Sequence, residues 1–192
     1  MRIFVTGTGR CGSVTFSKAC QHITNFTSAH ESDWQNACPM DINYPDNHIE
    51  VSPHLAYFIP YLRNKYPDAK WVHLIRTDVN NCIESLASVC NKSMMSFGYQ
   101  WYGIGDDFLC PKDASESLHK RKARYNADKF YHATNHLCAA LLAPMQAFNK
   151  SMPFGLEGFV IDWPEFWQWI EAEGDYEKAL AEFKIKHNAG RK

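Results

Sequence analysis

Ile3-Phe4-Val5-Thr6-Gly7-Thr8-Gly9-Arg10-Cys11-Gly12-Ser13-Val14-Thr15 is an apolar strand that runs into a glycine-rich turn, and the turn opens a helix. A turn of this kind presents successive backbone N–H groups, and the helix behind it adds the positive end of its dipole. Anions dock on such a device, phosphates above all. Gly7 and Gly12 have the spacing of a Walker A loop, but Ser13 stands where that motif carries its phosphate-gripping Lys. The cation lies inside the loop instead, at Arg10. The stretch therefore reads as a phosphate cradle that is not built for ATP hydrolysis.

Outward from the loop, strands and helices alternate. Strands are expected at residues 2–6, Phe26–Ala29, His48–Val51, Lys70–Ile75 and Leu156–Ile161. Helices are expected over 12–22 and from Ser52-Pro53, where Leu55, Phe58, Ile59 and Leu62 form an apolar stripe. Another follows Asp78 through Cys82, Ile83, Leu86 and Val89, and residues 114–148 read as one long helix or two. Asp162-Trp163-Pro164-Glu165 reads as a helix start, with Asp162 as N-cap and Glu165 in the capping-box position. Trp163, Phe166, Trp167 and Ile170 then have the spacing of a core-facing stripe. The pattern predicts an α/β fold: three α/β/α layers around a central parallel sheet. Ligands of such sheets bind beyond the carboxyl ends of the strands. The glycine loop, His30-Glu31 and Arg76 all fall at that edge.

At 192 residues the chain is most simply a single domain over 1–192, and 45% hydrophobic residues supply a substantial core. A net charge of −1 gives no global field to recruit nucleic acid or an acidic membrane. No apolar run is long enough to span a bilayer, and the opening residues read as strand and not as a leader. Seven scattered Cys without a C-x-x-C pair suit reduced thiols, hence a cytoplasmic compartment.

Gly9-Arg10-Cys11-Gly12-Ser13-Val14-Thr15 resembles the 5′-phosphosulfate loop of the sulfotransferase family, a P-loop-like fold. Tyr66-Pro67-Asp68-Ala69-Lys70-Trp71-Val72-His73-Leu74-Ile75-Arg76, with the Ser85-bearing helix behind it, is similar to that family's 3′-phosphate segment. Ser52-Pro53 fits the same layout, and Leu156-Glu157-Gly158-Phe159 fits it loosely. The resemblance implies 3′-phosphoadenosine 5′-phosphosulfate (PAPS) as donor, adenosine 3′,5′-bisphosphate as product, no required metal, and a small-molecule, glycan or lipid acceptor. Backbone N–H groups from Cys11 to Val14, with the Ser13 and Thr15 hydroxyls, suit the 5′-phosphate. Arg10 suits the bridging oxygen that gains charge as the S–O bond breaks. The family pattern assigns the 3′-phosphate to Arg76 and Ser85. Yet the family's Ser more often lies eight residues after the Arg; here the eighth is Glu84 and the ninth is Ser85. For the acceptor's proton the resemblance points to Glu31, which follows the second strand. His54, 22 residues before Arg76, is the rival, and His30 is a third residue that would orient the acceptor.

Two other functions fit parts of the pattern. A P-loop small-molecule or nucleotide kinase requires a Lys after Gly12 and a strand-end Asp for Mg²⁺, where this chain has Ser13 and Arg76. A non-catalytic nucleotide-binding relative would keep the loop and lose the chemistry. His132 and His136 have helical metal-ligand spacing, but no third ligand completes a site. Phe97, Tyr99, Trp101 and Tyr102 suit either an acceptor pocket or a core cover, and the tail from Lys184 is basic.

Overall fold

The computed structural model describes residues 1–32, 41–89, 115–155, 159–185 and 187. The aromatic run 97–102, Leu156-Glu157-Gly158 and most of the basic tail lie outside them. Five strands form one sheet: β1 (Arg2–Gly7), β2 (Thr27–His30), β3 (His48–Val51), β4 (Lys70–Ile75) and β5 (Ser151–Gly155). Their order is β2-β3-β1-β4-β5, and every neighbouring pair is parallel. Parallel neighbours need crossovers; helices follow β1, β3 and β4, and two more follow β5. These are α1 (Ser13–Cys20), a 3₁₀ turn (Pro53–Phe58) leading into α2 (Ile59–Lys65), α3 (Val79–Val89), α4 (Glu116–Gln146), α5 (Phe159–Trp169) and α6 (Tyr176–Glu182).

The chain forms two compact units. Met1–Thr77 and Asn135–Lys192 make the first, and Asp78–Thr134 the second. In the first unit, alternation along the strands feeds two cores. Ile3, Val5, Ile49, Val51, Val72, Leu74 and Phe154 bury one face under Phe16 of α1, Trp163 and Phe166 of α5, and Ile170 just beyond it. Phe16 stands edge-on to Phe154 and Phe166, with ring centres 5.0 Å apart in both cases. Phe4 and Trp71 point the other way, onto Leu55, Ile59 and Leu62, and onto Cys138, Leu142 and Met145 of α4. This is the expected layered α/β arrangement. In the second unit, Cys82, Ile83 and Leu86 of α3 pack with Ala127 and Tyr131 of α4.

Strands β3 and β4 have the expected bounds, and β2 is shifted by one residue. The last strand is corrected: it is Ser151–Gly155, and residues 159–161 belong to α5. Pro153 disguises it. Proline donates nothing to a ladder, so an edge strand tolerates it when the missing N–H faces outward. Among the described residues strand β5 is such an edge, paired with β4. Asp162 is likewise not the N-cap of α5 but lies in its first turn, where Oδ2 accepts from the Gly155 N–H at 2.8 Å. It ties the helix to the end of β5.

Candidate functional site

Because all five strands run the same way, their carboxyl ends gather at one edge. Gly7 ends β1 there, where a Cβ would stand 2.3 Å from the Leu74 carbonyl oxygen. Only glycine lets the two strands pass this closely. The chain then turns through Gly9 (φ 74), Arg10 (φ 54) and Gly12 (φ 89). Left-handed residues are common in turns that expose successive backbone N–H groups. Gly12 is the N-cap of α1 and needs its positive φ, since a side chain there would be strained. No side chain caps this helix and its first turn holds no acid, so its N-terminal charge is not offset locally. Cys11 is 1% exposed and its sulfur packs beneath the loop within the core, anchoring the turn while Arg10 stays half-buried at the rim. The thiols of Cys11, Cys20, Cys82 and Cys138 are free and buried. Burial, reinforced by neighbouring Cys11, pushes Cys138 up to about 12, and burial also raises Cys20.

Arg76, directly after β4, reaches this loop. Its Nη1 donates to the Arg10 carbonyl oxygen at 3.3 Å. Two residues 66 positions apart in sequence are thus joined by one hydrogen bond at the sheet edge. His30, at the end of β2, also converges: its Nε2 lies 3.0 Å from Ser13 Oγ, at the start of α1. His54 follows Ser52, whose hydroxyl accepts from the His54 N–H at 3.2 Å and caps the 3₁₀ turn. Burial, with nearby His30 as a second cause, lowers His54 to about 4. Glu31 is half-buried, holds a left-handed φ of 52 and donates its N–H to Val51 O at 3.1 Å. Val14 and Thr15 lie half-buried in the first turn of α1.

Ser85 lies half-buried on α3 in the second unit. In that unit Arg124 of α4 donates to the Glu84 carboxylate, so the acid in the family's expected Ser position carries its own cation. Asp78 opens α3 as expected, with Oδ1 accepting from the Asn81 N–H at 3.0 Å. His132 pairs with Asp128 at 3.6 Å. Among the described residues no group of three His, Cys, Asp or Glu gathers as a metal site would. No helix of the described residues is long and apolar enough to cross a membrane.

Two polar residues escape the sequence reading. Glu50, in the strand expected at His48–Val51, is 1% exposed. His73 in β4 is also buried, which lowers it to about 4, and its Nε2 has no partner among the described residues. His54 and His73 share a consequence. Each is uncharged in the fold and gains a proton on unfolding, because its folded value lies below the ordinary 6.5. The stability they contribute is complete above pH 6.5 and is lost as pH falls toward 4. Near pH 5, replacing His54 by Gln is expected to reduce proton uptake on unfolding by about one, read from the pH dependence of denaturant midpoints.

The family model described as Sulfotransferase family matches residues 23–133, more than half of the 192 residues. The matched span begins after the glycine loop and contains Glu31, His54, Arg76 and Ser85. No curated protein matches the chain.

Proposed function

The chain belongs to the sulfotransferase family, and from that premise we propose that it moves a sulfuryl group from PAPS to a hydroxyl or amine of a small-molecule, glycan or lipid acceptor. The observation that carries the reading is the Arg76 Nη1 bond to the Arg10 carbonyl, which joins two motifs of a bisphosphorylated nucleotide site at one sheet edge. Residues 1–192 act as one sulfotransferase-like domain in this reading.

The loop fits the donor's 5′-phosphate. Gly9, Cys11, Gly12, Ser13 and Val14 aim backbone N–H groups at it from an uncapped, acid-free helix start, and the Ser13 and Thr15 hydroxyls add donors. Arg10 stands over the bridging oxygen. Arg76 takes the 3′-phosphate as a planar, permanently charged fork; the family pattern alone adds the Ser85 hydroxyl. The acceptor's oxygen or nitrogen attacks sulfur in line. The S–O bond to the 5′-phosphate breaks, its electron pair stays on the phosphate oxygen, and the acceptor's proton passes to a base. Adenosine 3′,5′-bisphosphate leaves.

Glu31 is the preferred base. Glu31 follows β2 at the strand edge where the loop and Arg76 meet, whereas burial holds His54 down at about 4. Its role is then to line the site as a neutral imidazole. The left-handed turn at Glu31 is the kind of backbone cost that functional sites retain.

Thermal unfolding with added nucleotide tests the reading. Adenosine 3′,5′-bisphosphate at 100 times its dissociation constant is expected to stabilise the protein by about 2.7 kcal/mol. ATP–Mg²⁺ at equal concentration is expected to do less. Protection by ATP–Mg²⁺ alone would favour a kinase. Protection by the bisphosphate without transfer of labelled sulfate to a mixed hydroxyl and amine panel would favour a non-catalytic relative.

A further inference from the structure

Glu50 is a carboxylate placed where a strand of a layered α/β sheet would ordinarily carry an apolar residue. It lies in β3 between Phe4 of β1 and Ala29 of β2, its partners in the parallel register. It is 1% exposed. Burying a charge without partners is costly, and even a well-paired buried ion seldom stabilises a fold more than an apolar side chain of the same volume. Glu50 is fully engaged. Oε1 accepts the Ser32 N–H at 3.0 Å, and Oε2 accepts the Ser32 hydroxyl and His48 Nε2, the latter at 3.3 Å. The other ring nitrogen of His48 faces Thr27 Oγ1 at 2.8 Å. His48 thus links the Glu50 carboxylate to Thr27, whose hydroxyl also reaches the Asn47 carbonyl oxygen at 3.4 Å.

The network spans three places. Thr27 starts β2, His48 and Glu50 are in β3, and Ser32 lies just past the end of β2. Between the two β2 attachments sit His30, which reaches Ser13, and Glu31, whose φ of 52 leaves it in a sparsely populated conformation. Such a conformation persists only when its surroundings over-determine it. Here the Glu31 N–H is tied to Val51 O on one side, and the Ser32 main chain and side chain are tied to Glu50 on the other.

We infer that Glu50 is a positioning residue: its buried carboxylate clamps the His30–Ser32 turn to β3 and thereby sets the direction of Glu31. The inference rests on Glu31 being the base proposed above. Misplacing a reacting group by about an ångström costs about 10²-fold in rate, so a clamp of this kind is felt in turnover and not in donor affinity.

The test uses the full chain, labelled PAPS and the mixed acceptor panel. Glu50→Leu is close in volume but leaves the Ser32 N–H and buried His48 without their acceptor, so a lower unfolding midpoint is expected, with the affinity for adenosine 3′,5′-bisphosphate retained. Turnover is expected to fall by about 10²-fold. Glu50→Gln, which still offers an oxygen to the Ser32 N–H, is expected to rescue most of it. Glu31→Gln added to Glu50→Leu is expected to cost nothing more than Glu31→Gln alone, since both act through one group. Normal turnover in Glu50→Leu, or full additivity with Glu31→Gln, would overturn the inference. If Glu31→Gln alone transfers sulfate normally, the assignment of the base fails, a result separate from the clamp. The clamp is also read without any variant, by hydrogen exchange. The wild-type Ser32 amide is expected to exchange as slowly as the amides within β3, and exchange at an open-loop rate would overturn the clamp itself. That readout stands even if Glu50→Leu does not fold.

Discussion

Arg10→Ala is expected to lower the proposed sulfate transfer by about 10²–10³-fold, or about 2.7–4 kcal/mol of barrier, while the affinity for adenosine 3′,5′-bisphosphate falls much less. The asymmetry follows from where charge develops. In the bound donor the bridging oxygen is part of a shared, nearly neutral linkage. As its bond to sulfur lengthens it takes up negative charge, and a fixed guanidinium gains most at that moment. Arginine does not release its proton, so its contribution is electrostatic and not acid catalysis. The backbone offers an internal control. Arg10 sits at φ 54, a conformation that costs an ordinary residue stability and costs glycine little. Arg10→Gly therefore relaxes the loop where Arg10→Ala keeps it strained. If the charge is what matters, both variants lose transfer alike and Arg10→Lys regains part of it. If the loss comes from a distorted loop, Arg10→Gly transfers better than Arg10→Ala. Equal transfer by Arg10→Ala and wild type, measured with labelled donor, would remove Arg10 from the reaction.

How much of this was legible before any coordinates depends on the kind of signal. Strands β1 and β4 are short, mainly apolar runs closed by Gly7 and by Arg76, β3 is closed by Ser52-Pro53, and such punctuation survives folding because it is local. Strand β5 lacks that form. Met152-Pro153-Phe154 reads as a breaker, and only the knowledge that it lies at an edge makes Pro153 admissible. The convergence of Arg76 on the loop follows from topology: parallel strands put their ends together whatever their separation in sequence. The same logic brings His30 to Ser13, but which atom it meets is a matter of packing that no pattern announces. Glu50 was invisible for a different reason. A lone acid in a strand is ordinarily read as its solvent face, which holds when one side of a sheet is open. Strand β3 is interior, with one neighbour on each side and a core on each face, so the period-two rule has no solvent side to assign.

Arg76→Ala is expected to weaken adenosine 3′,5′-bisphosphate binding by about 2–5 kcal/mol, the usual effect of removing one partner of a desolvated, hydrogen-bonded charge pair. Two mechanisms would give that loss, and one comparison separates them. Arg76 is proposed to hold the 3′-phosphate, yet it also supports the Arg10 carbonyl at 3.3 Å and so braces the 5′-phosphate loop from behind. Adenosine 5′-phosphate lacks the 3′-group but still uses the loop. If direct contact with the 3′-phosphate dominates, Arg76→Ala leaves the affinity for adenosine 5′-phosphate within about twofold of wild type, and the whole deficit appears with the bisphosphate. If bracing dominates, both ligands weaken together, and Arg10 loses its aim as well, so transfer falls further than binding. Arg76→Lys sharpens the result. A lysine returns the charge but not the planar fork, so it restores only part of the bisphosphate affinity when two parallel N–H bonds to one phosphate are at stake. Calorimetric titration of the three proteins with the two nucleotides yields six constants. A uniform fall across both ligands would move Arg76 from the donor's 3′ end to the scaffold of the loop.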